Sequence, residues 1–179
     1  MARSVKQPDA PLPPGTPAPP IDAPVSPDQR LSLEQFRGAP LVLVFYPADW
    51  SPVCSDELSL FNELLPEFER LGAKVVGVSC DGVWCHQAFA RERGLHMMLA
   101  SDFHPKGALS RAYHVYREDD GVCERALFVI DPEGKIFWSY VSPMEVNPGA
   151  DGVLDALERL TGTFSSEAAG GQSQQEASP

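Results

Sequence analysis

LVLVFYPADWSPVCSDE, residues 41–57, is the stretch on which the reading of this chain turns. Its first six residues form a continuous apolar run, the pattern of a strand buried on both faces. Pro47 and Pro52 then make a rigid loop, and a helical pattern opens near Ser55. From Leu58 onward apolar residues recur at 58, 61, 65 and 68, with 60, 64 and 71 widening the stripe. Loops over the carboxyl ends of α/β strands are where sites are built, and this one delivers Cys54 to the start of a helix. A cysteine so placed can be inert packing, a metal ligand or a nucleophile.

Outward from this stretch, short apolar runs alternate with helical patterns. Pro66 is expected to kink the first helix or restart it. Residues 73–79 read as a second buried strand, 83–93 as a helix stopped by Gly94, and 97–100 as a short third strand. Residues 105–113 read as another short helix. Residues 126–130, a turn at Asp131-Pro132-Glu133-Gly134, and residues 135–141 read as a hairpin. A closing helix is expected over 151–160, with Gly162 after its end. The order β-α-β-α-β, then β-β-α, implies an α/β protein with a mixed central sheet flanked by helices, a thioredoxin-like fold carrying insertions.

The chain of 179 residues fits one domain, and 43% hydrophobic with 22% charged residues is the composition of a soluble globular protein. Nine of its 18 prolines fall within residues 1–30, so residues 1–13 are expected to form a Pro-rich extension. Residues 14–164 are expected to fold. Residues 165–179, rich in Ser, Gly, Gln, Glu and Ala, are expected to form a disordered tail. With 14 basic against 25 acidic residues the formal charge is −11, which discourages binding to nucleic acid or anionic membranes. No apolar signal core follows the start, and no apolar run approaches the ~20 residues of a membrane helix, so a cytoplasmic location is expected. Four cysteines in such a chain do not make a disulfide framework and are expected to be thiols.

A thiolate is the reactive form of cysteine, and free amides with the positive dipole end of a helix N-terminus favour it. Thioredoxins carry Trp-Cys-x-x-Cys in this strand–loop–helix setting. Here Trp50-Ser51-Pro52-Val53-Cys54 has serine at the first cysteine position, so dithiol exchange through a CxxC pair is impossible. One nucleophile with a hydroxyl beside it, able to donate and accept, suits attack on a peroxide.

Pro47-x-x-x-Ser51-x-x-Cys54 resembles the peroxiredoxin signature Pro-x-x-x-Thr/Ser-x-x-Cys. The resemblance extends through Glu57, the Gly15-Thr16-Pro17-Ala18-Pro19 lead-in, residues 101–108 and residues 125–131. After Cys80 the segments look most like the alkyl hydroperoxide reductase E and bacterioferritin comigratory protein branches. The resemblance implies a thiol-dependent peroxidase that reduces hydrogen peroxide or organic hydroperoxides through a cysteine sulfenic acid. It implies Cys54 as the peroxidatic cysteine, Arg125 as its cationic partner, Ser51 as a hydrogen-bonding hydroxyl and Pro47 as the cover that shields the thiolate. Glu57 either orients Arg125 or is a solvated first-turn glutamate. No metal, haem or flavin cofactor is expected. The expected reductant is a thioredoxin-, glutaredoxin- or mycoredoxin-type protein. A homodimer is expected, with Trp50 and the helix after Phe103 at its edge.

A sulfenic acid must be reduced before it over-oxidises. Related thiol peroxidases place a resolving cysteine in the helix that here spans 83–93, which makes Cys85 the first candidate and Cys80 the second. The resolver found five residues after the peroxidatic cysteine in many relatives is replaced by Ser59. Cys123 is expected to be an exposed spectator. Cys80, Cys85 and His86 lack the tight pairing of a structural zinc site, so no metal is expected there. His96, His104 and His114 suit solvated or structural roles, and Trp50, Trp84 and Trp138 suit the core or its rim. Two other functions fit the sequence less well: a thiol–disulfide reductase, opposed by Ser51, and a non-enzymatic redox sensor or holdase.

Overall fold

The computed structural model describes residues 10–170. An N-terminal hairpin, β1 (Asp22–Pro24) and β2 (Arg30–Ser32), leads through a single 3-10 turn at Leu33–Phe36 into β3 (Leu41–Phe45). Then come α1 (Pro52–Glu63), α2 (Leu65–Arg70), β4 (Lys74–Ser79), α3 (Val83–Arg93), β5 (Met98–Ser101) and α4 (Ala108–Ala112). The described residues end with β6 (Tyr116–Arg117), β7 (Val122–Cys123), β8 (Arg125–Ile130), β9 (Ile136–Ser142) and α5 (Asp151–Gly170).

Five strands make the central sheet in the order β5-β4-β3-β8-β9. β3 runs parallel to β4 and antiparallel to β8, so the sheet is mixed as expected. All five residues of β3 are buried because both faces of the sheet are covered. Val42, Val44, Leu127 and Val129 face one apolar layer with Leu58 and Phe61 of α1, Phe68 of α2, Phe89 of α3 and Val153 and Leu157 of α5. Leu41, Leu43, Phe45 and Phe128 face the other, built from Ile21, Leu31, Phe36, Leu109 and Tyr113. The alternation of period two along β3 and β8 sorts these side chains between the layers.

Pro66 restarts the helix. α1 ends at Glu63, Leu64 joins the two segments, and Pro66 sits in the first turn of α2, where its missing N–H has no cost. Gly94 ends α3 in the left-handed conformation, at φ 63°. The helix expected over 105–113 is only Ala108–Ala112. Gly107 precedes it at φ 70°, and a Cβ there would collide with the Tyr116 ring.

The two small hairpins, β1–β2 and β6–β7, were not legible as strands because two or three residues carry no periodicity. Leu12, within the expected extension, is buried, and its carbonyl accepts from the Ser139 hydroxyl at 3.1 Å. α5 continues past Leu160 to Gly170, since Gly162 is accommodated in the helix rather than ending it. Residues 165–170 of the expected tail belong to α5, and residues 1–9 of the expected extension and 171–179 of the expected tail lie outside the described residues. No helix among the described residues is long and apolar enough to cross a membrane.

Candidate active site

The site forms where β3 leaves the sheet. Tyr46, one residue past the strand, still donates its backbone N–H to Val78 at 3.0 Å, and Pro47 then ends the pairing. The loop turns through Trp50, whose φ of 67° is unusual for a residue with a side chain. The Asp49 backbone N–H donates to the Asp81 carboxylate at 2.9 Å and pins the turn. Ser51 is the helix N-cap in an extended conformation, and its hydroxyl does not cap the helix. Pro52 opens α1 with a pre-set φ, which puts Cys54 in the first helical turn, fully buried.

Glu57 follows Cys54 by three residues, so the two side chains lie on neighbouring positions of one helix face. Both meet Arg125. The guanidinium Nη2 donates to Cys54 Sγ at 3.4 Å, and Nη1 donates to Glu57 Oε2. Nε and Nη2 also donate to the Met144 carbonyl, at 3.1 and 2.9 Å. Arg125 is 1% exposed and Glu57 0%, so this ion pair is dry. Glu57 is thus buried against Arg125, not solvated. Its Oε1 has no partner among the described residues. Burial pushes the Glu57 carboxyl up to about 7, against the pull of Arg125. Burial works against the Arg125 charge, but Glu57 and Cys54 outweigh it and hold the guanidinium above its ordinary range.

A second buried network adjoins the loop. The Tyr46 hydroxyl donates to Asp49 Oδ1 at 2.7 Å, and His86 Nδ1 lies 2.9 Å from Asp49 Oδ2. The Asp81 carboxylate accepts from the Ser79 hydroxyl at 2.6 Å. Asp49, Asp81 and Cys85 bring potential ligand atoms within 4.8 Å of one another, but hydrogen bonds already engage both carboxylates. The sequence held no signal for the Asp49–His86 pair, because its members stand 37 positions apart with ordinary neighbours.

The other cysteines separate by environment. Cys85, in the first turn of α3, is partly exposed, and burial still raises its thiol. Cys80 is buried and pushed up to about 11 by that burial, with Asp102 adding to it. Cys123 is fully buried, contrary to the exposed position expected of it. β7 closes over the end of the sheet, where the Cys123 thiol donates to the Tyr46 carbonyl at 2.9 Å. Burial raises its thiol well above the ordinary range. Pro47 and Ser51 are partly buried in the loop. Trp50 packs edge-on to Phe89 at 5.2 Å, while Trp84 stands in solvent. His96, His104 and His114 are exposed.

Residues 14–139 match the model of the AhpC/TSA family. Peroxiredoxin Bcp of Xanthomonas campestris is 38% identical over 136 residues, covering 72% of this chain and 82% of that protein. Alkyl hydroperoxide reductase E of Mycobacterium tuberculosis is 37% identical over 137 residues, covering 74% and 88%. Among solved structures, peroxidoxin BcpB of M. tuberculosis superposes with a TM-score of 0.73 at 29% identity, covering 82% of this chain and 97% of that one. A bacterioferritin comigratory protein of X. campestris, whose structure bears on its alkyl peroxide reduction activity, superposes with a TM-score of 0.69 at 34% identity, covering 82% and 94%.

Proposed function

The chain belongs to the AhpC/TSA family and is a thiol-dependent peroxidase with a thioredoxin-like fold, and we propose that Cys54 is its peroxidatic sulfur and Arg125 the cation that activates it. Its substrate is a peroxide and its electrons come from a thiol reductant. The observation that carries the assignment is the single guanidinium donating to Cys54, Glu57 and the Met144 carbonyl.

In the first step the Cys54 thiolate attacks one peroxide oxygen. An S–O bond forms, the O–O bond breaks, and the other oxygen leaves as hydroxide or alkoxide and takes a proton. The first helical turn and Arg125 stabilise the thiolate, and the guanidinium is placed to hold charge on the departing oxygen. The Ser51 hydroxyl, free of any capping duty, is available to donate to a bound oxygen. Pro47 narrows access to the sulfur. Glu57 orients Arg125. Products are water or an alcohol, and Cys54 sulfenic acid.

Cys85 then resolves the sulfenic acid: its sulfur attacks Cys54 Sγ, a disulfide forms and water leaves. Cys80 is the less favourable nucleophile, being buried with its thiol pushed up to about 11. A sulfur–sulfur bond needs α-carbons within roughly 7 Å, and unwinding of the first turn of α3 is the route by which Cys85 would reach Cys54. Gly82, at its N-cap with open space around it, eases that movement. A thioredoxin-, glutaredoxin- or mycoredoxin-type protein reduces the disulfide. The protein works in the cytoplasm as a homodimer, in which exposed Trp50, Trp84 and Phe103 gain cover.

One experiment tests the whole sequence of steps. Protein treated with one equivalent of peroxide is mapped by mass spectrometry, and peroxide consumption is followed with and without a thioredoxin-type reductant. The expected result is a Cys54–Cys85 crosslink and multiple turnovers only with reductant. An unmodified Cys54 after peroxide is consumed would falsify the assignment.

A further inference from the structure

Arg125 offers five N–H groups. Nε–H and one Nη2–H go to the Met144 carbonyl, the other Nη2–H to Cys54 Sγ, and one Nη1–H to Glu57. The only charged partner in this set besides the thiolate is Glu57, and a carboxylate favours paired, two-pronged binding of a guanidinium. Cys54 and Glu57 both lie on α1 and engage Nη2 and Nη1, so on their own they hold the guanidinium from one side only. The Met144 carbonyl holds the Nε/Nη2 edge, which leaves the second Nη2–H directed at Cys54. Its position therefore decides how the guanidinium divides between thiolate and carboxylate.

Met144 lies in the connection between β9 and α5. Pro143, Glu145, Val146 and Asn147 are exposed there, so apolar packing does little to fix the segment. Hydrogen bonds fold it instead: the Val146 N–H donates to the Pro143 carbonyl at 3.1 Å, the Ser142 hydroxyl donates to the Val146 carbonyl at 2.9 Å, and the Gly149 N–H donates to Asn147 Oδ1 at 3.0 Å. Ser142 is 3% exposed, the last residue of β9, and the cross-strand partner of Arg125. Directly paired residues project from the same face of a sheet, so Ser142 closes the loop beside the guanidinium itself.

We propose that Ser142 is a positioning residue for peroxide reduction: its hydroxyl closes the 142–150 loop so that the Met144 carbonyl holds Arg125 against Cys54. The inference rests on the assignment of Cys54 and Arg125 above. It ties the reactivity of the thiolate to the connection ahead of the C-terminal helix, a segment outside the signature loop.

The test compares Ser142→Ala, Ser142→Thr, Pro143→Gly and Arg125→Met in the full-length protein. Two quantities are read: the second-order rate of Cys54 oxidation by hydrogen peroxide, and the pH midpoint of Cys54 alkylation, assigned by peptide mapping. Loss of one buried hydrogen bond is expected to slow oxidation about fivefold in Ser142→Ala and to raise the alkylation midpoint. Ser142→Thr, which keeps the hydroxyl, restores both. Pro143→Gly changes an exposed residue, so it folds even if Ser142→Ala does not, and it shifts both quantities in the same direction. Parent values in both Ser142→Ala and Pro143→Gly, with Arg125→Met impaired, overturn the role of Ser142. A slower rate with an unmoved midpoint also overturns it, because a merely structural defect does that. Parent values in Arg125→Met overturn the assignment of Arg125 and the inference with it.

Discussion

Glu57 and Arg125 form an ion pair from which water is excluded, and the pair stands directly against the Cys54 sulfur. Removing two charges from water costs several kcal/mol per ion, offset only where geometry and further hydrogen bonds are good. Arg125 has such bonds, whereas Glu57 leaves one oxygen without a partner among the described residues. The cost falls on the carboxylate, whose pKa rises from the ordinary 4.5 to about 7.

That shift has a definite sign for stability. A carboxyl with a raised folded-state pKa binds more protons folded than unfolded between pH 4.5 and about 7. Its contribution is fully present below pH 4.5 and is lost as pH rises through 7. Thermal melts of the parent protein at pH 5, 6, 7 and 8 are expected to fall by on the order of 5 °C from this group. Glu57→Gln cannot titrate and flattens that part of the curve. Parallel curves for parent and variant would remove Glu57 as the source.

Arg125→Met keeps much of the buried stem but loses the charge and the fork. Peroxide oxidation of Cys54 is expected to slow by on the order of a hundredfold, the scale of losing one charge-stabilising donor. Alkylation by iodoacetamide shifts to higher pH. Stopped-flow kinetics and a pH series of alkylation check the two effects separately.

Cys54→Ser is nearly isosteric and removes the thiolate, so peroxide reduction should vanish while circular dichroism and thermal stability stay close to the parent. Turnover above a few per cent of the parent would mean that another sulfur carries the chemistry.

Cys85 is tied indirectly to the Cys54 loop, because its neighbour His86 is hydrogen-bonded to Asp49. Any unwinding of the first turn of α3 that carries Cys85 toward Cys54 would act against that contact. Cys85→Ser should consume the first peroxide equivalent at the parent rate, then stall or over-oxidise when thioredoxin is the only reductant. Parent-like cycling with no Cys85 crosslink would make the enzyme a one-cysteine peroxidase, or one resolved by Cys80.

Cys123 donates from a fully buried site to the Tyr46 carbonyl. Cys123→Ala should leave turnover within about twofold of the parent while lowering stability by about 1 kcal/mol, the worth of a modest buried contact. Urea titration and the peroxide assay measure the two sides of that expectation.

Sequence by itself determined the strand–loop–helix that carries Cys54, the mixed α/β order, the restart at Pro66 and the end of α3 at Gly94. These are local properties: an apolar run, a proline without an N–H, a glycine free to adopt positive φ, each acting within a few residues. Arg125 was legible only through the family pattern around it. Tertiary structure alone decided that Glu57 is buried and not solvated, that Cys123 of β7 is buried against the Tyr46 carbonyl, and that Asp49 meets His86. It also decided that the Met144 carbonyl shares Arg125 with Cys54, across 19 residues of a hairpin and its exit. Each of these pairings joins segments far apart in the chain, where no period or propensity records the partner. Only the closing of the sheet, β3 against β8 and β8 against β9, brings the donors and acceptors within a few ångströms and removes the water that would otherwise satisfy them.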